Sequence, residues 1–339
     1  MNRAVRTTIE TLPFTFTAIC LAMIAALMPA PVEARSLTHL PKYAAIVVDA
    51  DTGEVLYARN PDAARHPASI TKVMTLMLTF EALDAGKIKL TDKVVMSKHA
   101  ASQPPSKLGL GVGGWLSVEE AIRLLSTKSA NDVAVALAEH VGGTELAFAQ
   151  KMTEKARELG MNATAFYNAS GLPNPAHSTT ARDLAKMSSA LLRDYPHYYA
   201  FFSEQSYNFY GTKYRNHNRL LGKLVGLDGI KTGYTRASGF TLAASAQRDG
   251  KRIVAIVLGA PSSKQRNDNI ASLINAGFDV LRQRRFGRDV TIAQHMAEPD
   301  IYLGDQGPVI AQGSSDQGSS DDAPFDIDMD QIAPAAAAN

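Results

Sequence analysis

The sequence is almost without cysteine. Its one thiol, Cys20, lies inside an apolar run near the N-terminus. The remainder therefore offers no disulfide, no thiol nucleophile and no cysteine-based metal site. Histidine is sparse too. The eight histidines form no His-Glu-x-x-His or comparable cluster, which argues against a metal hydrolase and predicts no metal or other cofactor. Positive charge stops early. No Lys or Arg follows Arg288, while residues 289–339 hold ten acidic residues. Residues 35–288 carry 33 basic against 21 acidic residues, an excess of twelve. Such a body suits an anionic polymer or surface as well as it suits plain solubility. Long apolar runs are also lacking. The run from Phe14 to Met28 is about 15 residues, short of the roughly 20 that a helical membrane span needs.

That run follows Arg3 and Arg6 and precedes Pro29, Ala30, Pro31, Val32, Glu33 and Ala34. Val32 and Ala34 suit the small-residue positions of a signal-peptidase site, so cleavage is expected after Ala34. An uncleaved anchor is the competing reading. Apolar residues continue past Cys20, which argues against its lipidation. The expected division is a leader over 1–34, a folded body over 35–290 and a tail over 291–339. Export puts the body in the periplasm or outside the cell, with at most peripheral membrane contact, and disfavours nucleic acid as a partner. From about residue 306 the tail is rich in Gly, Ser, Asp, Pro and Ala, and Gln312–Asp316 nearly repeats as Gln317–Asp321. It has too little apolar surface to order itself and is expected to be mostly disordered.

The body alternates between strand and helix signals. Residues 44–49 read as a strand, Asp51-Thr52-Gly53 as a turn and 55–58 as the return strand. Helices are expected from about Ser69 to Ala82, from a capping box at Ser117–Glu120 to about Leu125, over Asp132–His140, from Thr144 to Gly160, over about Thr180–Arg193 and over about Gln265–Arg285. Ile230–Tyr234, Phe240–Gln247 and Ile253–Leu258 are short β-rich runs punctuated by Gly239 and Gly250. They read as adjacent antiparallel strands. An early hairpin and late strands around a helical middle predict a mixed α/β fold of the α+β type. Its antiparallel sheet is flanked by helices and accompanied by a helical subdomain.

Three short motifs carry the chemistry. Ser69-Ile-Thr-Lys72 puts a hydroxyl and an amine on one helix face, three residues apart and within hydrogen-bond reach. The helix start favours developing negative charge, and a desolvated lysine near other cations is a base able to activate a serine. Ser129-Ala-Asn131, expected in a loop, aims a proton-relaying hydroxyl and a carbonyl-binding carboxamide into one cleft. Lys231-Thr232-Gly233 opens an edge-like strand, with Lys231 and Thr232 suited to a substrate carboxylate and Gly233 to close backbone approach. Taken singly, each motif is explained by helix capping, a solvated lysine or an ordinary tripeptide. Their joint order and contexts describe serine acyl transfer without histidine. The same set occurs in class A β-lactamases and penicillin-binding proteins.

With its flanking segments, the chain resembles the D-alanyl-D-alanine carboxypeptidases, the low-molecular-mass penicillin-binding proteins. The resemblance runs over roughly residues 40–285. It includes Pro67–Thr75, Ser126–Asp132, Asn168–Leu172, Ser178–Asp183, Asn216–Leu221 and Gly229–Thr235. It implies a serine β-lactamase/DD-peptidase-like fold and removal of the terminal D-Ala from peptidoglycan stem peptides through an acyl-enzyme, with β-lactam antibiotics as covalent inhibitors. It implies Ser69 as nucleophile, Lys72 as general base and the backbone N–H groups of Ser69 and Tyr234 as the oxyanion hole. Arg266, in the turn after the strand ending near Gly259, aligns with an arginine placed near the substrate carboxylate.

There are departures. Many members carry histidine where this chain has Tyr234, and many carry a C-terminal β domain with an amphipathic anchor, which the acidic tail does not resemble. The readings to be separated are a carboxypeptidase, a D,D-endopeptidase acting on cross-links, a β-lactamase and a non-catalytic wall-binding module. Between Met161 and Arg193 there is no glutamate to activate a deacylating water, and the second motif is Ser-Ala-Asn rather than Ser-Asp-Asn. Both points count against a β-lactamase. A wall-binding module has no use for Ser69 and Lys72.

Overall fold

The computed structural model describes residues 42–288 and 290–292. The expected leader and nearly all of the expected tail lie outside these residues. The first hairpin is β1 (Ala44–Asp49) and β2 (Val55–Arg59). The late strands are β7 (Leu227–Thr235), β8 (Gly239–Arg248) and β9 (Lys251–Ala260). They join in one antiparallel sheet of order β2-β1-β9-β8-β7. This is the mixed α/β architecture expected from the sequence. It leaves β7, with Lys231, Thr232 and Gly233, on an edge, where unpaired backbone groups face outward.

Helices cover both faces. Helix α6 (Ala181–Asp194) packs on β1, β8 and β9, while α7 (Ser263–Arg285) packs on the same strands from the other side. Alternation along β1 explains the two layers. Ala44, Ile46 and Val48 join the main core cluster. Val47 faces α7, where a Cβ built on Gly277 would lie 3.5 Å from the Val47 Cγ1 atom.

A second group of helices completes the molecule. Helix α1 (Thr71–Asp84) runs through the core and packs on α3 (Val118–Thr127), α4 (Asn131–Gly142) and α5 (Glu145–Glu158). The starts at Ser117, Thr144 and Thr180 are those the sequence signals, while Ser262 caps a helix that begins slightly before the expected Gln265. The Ser117–Glu120 capping box opens α3, and Thr144, Thr180 and Ser262 accept backbone N–H groups at the starts of α5, α6 and α7. Each cap contributes about 1 kcal/mol.

The structure adds elements that no periodicity announced. These are the hairpins β3 (Lys93–Val95) with β4 (Trp115–Ser117) and β5 (Ser206–Phe209) with β6 (Thr212–Arg215), and the one-turn helix α2 (Lys98–Ala101). Strands of three or four residues are too short for alternation to register. No helix among the described residues is long and apolar enough to cross a membrane.

Candidate active site

The three motifs converge beside the edge strand. Ser69 is not in the α-helix proper, as expected, but in a single 3₁₀ turn, Ala68–Ile70, leading into α1. Ala68 has a φ of 48°, a left-handed conformation that is costly without glycine. The bend brings the turn against β7. A Cβ built on Gly233 would lie 2.9 Å from the Ser69 backbone nitrogen and 3.0 Å from the Ala68 Cβ. Glycine at 233 therefore leaves room for the turn that carries Ser69.

Lys72 is fully buried. Its Nζ lies 3.1 Å from the Ser69 Oγ, 2.8 Å from the Asn131 Oδ1 and 2.6 Å from the Ser170 carbonyl oxygen. Burial, then the charge of Lys231, hold its pKa well below the usual lysine value, against the opposing pull of Asp132. Asp132 is itself buried and accepts the backbone N–H groups of Leu108, Gly109 and Val133.

Ser129 sits at φ 62° just before α4, and its Oγ is buried with no hydrogen-bond partner among the described residues. Asn131 is not in the loop but is the first residue of α4, because Ala130 is extended and takes the N-cap position. Its Nδ2 donates to the Pro104 carbonyl, 3.0 Å away, while its Oδ1 accepts from Lys72. One amide N–H remains for a ligand.

Lys231 is also buried, and its Nζ donates to the Thr232 carbonyl, 3.2 Å away. Burial first, and the nearby Arg266 second, lower its pKa to about 7. It pairs with no carboxylate among the described residues. Thr232 is buried beside it. Arg266 lies in the first turn of α7 rather than in the preceding turn of chain. It is buried, and its guanidinium donates to the Asn267 Oδ1. The Tyr234 ring packs on Phe240 across the strand pair, with centroids 4.4 Å apart.

Three features went unassigned in the sequence. The Ser170 carbonyl is a backbone group and leaves no side-chain signal. The loop that carries it is pinned to α1: Thr75 Oγ1 donates to the Ala169 carbonyl, and Thr71 Oγ1 lies 2.9 Å from His177 Nε2. Gly171, at φ 84°, sits so near the turn that a Cβ there would fall 1.9 Å from the Ala68 carbonyl oxygen. On the far side, burial and the charges of Lys231, Lys128, Arg219 and Lys72 lower the pKa of His217 to about 3. At neutral pH this imidazole carries no charge, so the cations around it dominate.

A buried amine touching a serine hydroxyl, with a second hydroxyl and an unpaired lysine across the cleft, defines the class that unites β-lactamases and penicillin-binding proteins. Within that class, the family model of D-alanyl-D-alanine carboxypeptidases, peptidase family S11, matches residues 32–262; the chain belongs to this family. The D-alanyl-D-alanine carboxypeptidase DacF of Bacillus subtilis is 38% identical over 268 residues, covering 76% of this chain and 67% of DacF. Among solved structures, penicillin-binding protein 5 of Haemophilus influenzae superimposes with a TM-score of 0.68 at 35% identity, over 70% of each chain. Penicillin-binding protein D2 of Listeria monocytogenes, in its cefotaxime-bound form, gives 0.64 at 33% identity, over 69% of this chain and 96% of that one.

Proposed function

We propose that the protein is an exported serine D-alanyl-D-alanine carboxypeptidase that trims peptidoglycan stem peptides and is acylated by β-lactams. The observation that carries this reading is the set of Lys72 contacts. A neutral amine has two N–H donors and one lone pair. The Asn131 Oδ1 and the Ser170 carbonyl are both acceptors and occupy the two donors. The lone pair is left for the Ser69 hydroxyl, 3.1 Å away.

In the proposed cycle Ser69 Oγ attacks the carbonyl carbon between the two D-alanines as its proton passes to Lys72. The negative oxygen of the tetrahedral intermediate is held by the backbone N–H groups of Ser69 and Tyr234. The peptide bond breaks as Ser129 relays a proton to the departing amine. Water then hydrolyses the ester at Ser69. Lys231, Thr232 and Arg266 hold the carboxylate of the departing D-Ala, and the free N–H of Asn131 binds a stem carbonyl. The carboxylate raises the Lys231 pKa, so substrate arrival charges Lys231 while Lys72 stays neutral. With no glutamate between Met161 and Arg193, a penicilloyl ester hydrolyses slowly, which favours inhibition over β-lactamase turnover. Export rests on the N-terminal leader, with cleavage after Ala34.

The test is direct. The mature protein is incubated with a muropeptide ending in D-Ala-D-Ala and with cross-linked dimers, and products are identified by mass. Loss of one D-alanine from the monomer is expected. Cleavage of dimers alone would make the protein an endopeptidase. Penicillin should add its mass at Ser69, and labelling that persists in Ser69→Ala would remove the serine from its role.

A further inference from the structure

An acidic residue in the first turn of a helix ordinarily serves the helix dipole from solvent. Glu145, which opens α5, is placed differently. Only 14% of its side chain is exposed, and its two carboxylate oxygens hold two different segments of chain. Oε1 accepts the Ala169 backbone N–H at 2.9 Å. Oε2 lies 2.6 Å from the Nε2 of His99 on α2. A carboxylate only accepts, so the imidazole carries its proton on Nε2.

Both segments lead to Lys72. In the first, Ala169 precedes Ser170, whose carbonyl oxygen takes one Lys72 N–H at 2.6 Å. The Ala169 carbonyl is held in turn by the Thr75 hydroxyl at 2.7 Å. Ala169 is therefore fixed at both backbone groups, by α1 and by α5. It is fully buried, so no water stands ready to replace Glu145 at its N–H. In the second, α2 runs on through Gln103, whose side-chain amide donates to the His99 carbonyl. The carbonyls of Pro104 and Ser106 then accept the Asn131 Nδ2 at 3.0 Å and the Asn131 backbone N–H at 2.7 Å. The Asn131 Oδ1 takes the other Lys72 N–H, at 2.8 Å. One carboxylate thus joins the two segments that place the two acceptors of Lys72.

We propose that Glu145 is a positioning residue for acyl transfer: its carboxylate clamps the Ala169–Ser170 loop to the α2 segment. The clamp keeps both donors of Lys72 committed and its lone pair on Ser69. Glu145 acts through Lys72 and not on the substrate. This deepens the serine-peptidase reading above and rests on it.

Penicillin acylation of the mature protein, followed by mass against time and concentration, separates noncovalent affinity from the acylation rate. Glu145→Leu is similar in size but cannot accept a hydrogen bond. It should slow acylation about ten- to a hundredfold, as expected for an orphaned buried N–H, and leave the affinity within about twofold. Glu145→Gln keeps an acceptor for the Ala169 N–H and should retain most of the rate. His99→Ala, at an exposed position, releases only the α2 arm and should slow acylation several-fold. The separating measurement is made in Lys72→Ala. There Glu145→Leu should not lower the residual rate further, because groups that act as a unit are non-additive. A glutamate that merely supports the fold would lower the rate by the same factor in both backgrounds, and that result would overturn the proposal. An unchanged rate in Glu145→Leu, or a loss of affinity in place of rate, would overturn it too. If Glu145→Leu does not fold, His99→Ala with and without Lys72 decides by the same comparison. A wild type that takes no penicillin label would instead bring down the serine-peptidase reading, and the clamp with it.

Discussion

Two buried lysines sit on opposite sides of one cleft, and their surroundings differ. Lys72 lies on α1 between two carbonyl oxygens and a serine hydroxyl, with Asp132 behind it. Lys231 lies on the edge strand with one backbone carbonyl and a second cation, Arg266, nearby. Burial depresses both pKa values. Only Lys72 has its donors committed to acceptors, which orients a lone pair. Only Lys231 lacks a counter-charge that a substrate can bring. Equal burial therefore serves opposite ends: one amine is set to take a proton, the other to meet an anion.

The sharpest way to break this comparison is to replace each lysine by arginine. Arginine keeps the charge but does not give up its proton. Lys72→Arg should lose at least the ~10²-fold typical of a missing general base, and Lys72→Ala should do the same while noncovalent binding survives. Lys231→Arg should keep a measurable fraction of activity, because a cation is all that a carboxylate needs. Acylation rates with penicillin and turnover of a D-Ala-D-Ala peptide measure both. If Lys72→Arg stays as active as Lys231→Arg, the two lysines do not divide the work as proposed.

A substrate-dependent effect is expected one step out, at Arg266. Removing one partner of a buried, hydrogen-bonded charge pair costs about 2–5 kcal/mol. Arg266→Ala should lower turnover of D-Ala-D-Ala peptides by that measure, and lower turnover of an analogue with an amidated terminus much less. Equal losses on both substrates would make Arg266 structural and shift weight toward an endopeptidase.

The pH profile reads the same pair. In kcat/KM, which reports the free enzyme, activity should rise as Lys72 loses its proton and fall as Lys231 loses its own near pH 7. Replacing Lys231 by arginine should remove the alkaline limb. A limb that stays in place in Lys231→Arg assigns it to another group.

Much of the contrast was legible in the chain, for a local reason. Ser69 and Lys72 are three residues apart, and helical or 3₁₀ backbone alone brings such pairs together. The Lys-Thr-Gly run on an edge strand follows from the late glycine-punctuated β-rich segments. What was not legible is what packs against these residues from afar. The Ser170 carbonyl meets Lys72 from 98 positions away, and His177 meets Thr71 from 106. Neither contact has a local pattern. The left-handed Ala68 was hidden because only glycine advertises that conformation in sequence. The same bend moved Ser69 out of the helix and set its turn against Gly233. Asn131 was misplaced by one step of geometry, since Ala130 rather than a polar residue caps α4.

A further effect separates the two sides of the cleft by stability rather than rate. His177 belongs to the Lys72 side. Burial, then His66, lower its pKa from 6.5 to about 4. His217 belongs to the Lys231 side, at about 3. Both folded values lie below the unfolded one, so between them the unfolded chain binds more protons. Their stability contribution is complete above pH 6.5 and is lost as pH falls, until about pH 4 for His177 and about pH 3 for His217. For His177 the whole loss is on the order of 3 kcal/mol. Urea midpoints measured between pH 7 and pH 4 should fall in the wild type and fall less steeply in His177→Gln and in His217→Gln. The two variants should part in catalysis at neutral pH. His177→Gln disturbs the loop that presents the Ser170 carbonyl to Lys72, because His177 Nε2 bonds Thr71 and Nδ1 accepts from the Tyr167 backbone, 3.4 Å away. It should slow acylation by penicillin. His217→Gln leaves the Lys72 contacts in place and should act mainly on KM for peptides with a free carboxylate. Matching kinetic losses in the two variants would erase the distinction between the sides and reduce both histidines to packing.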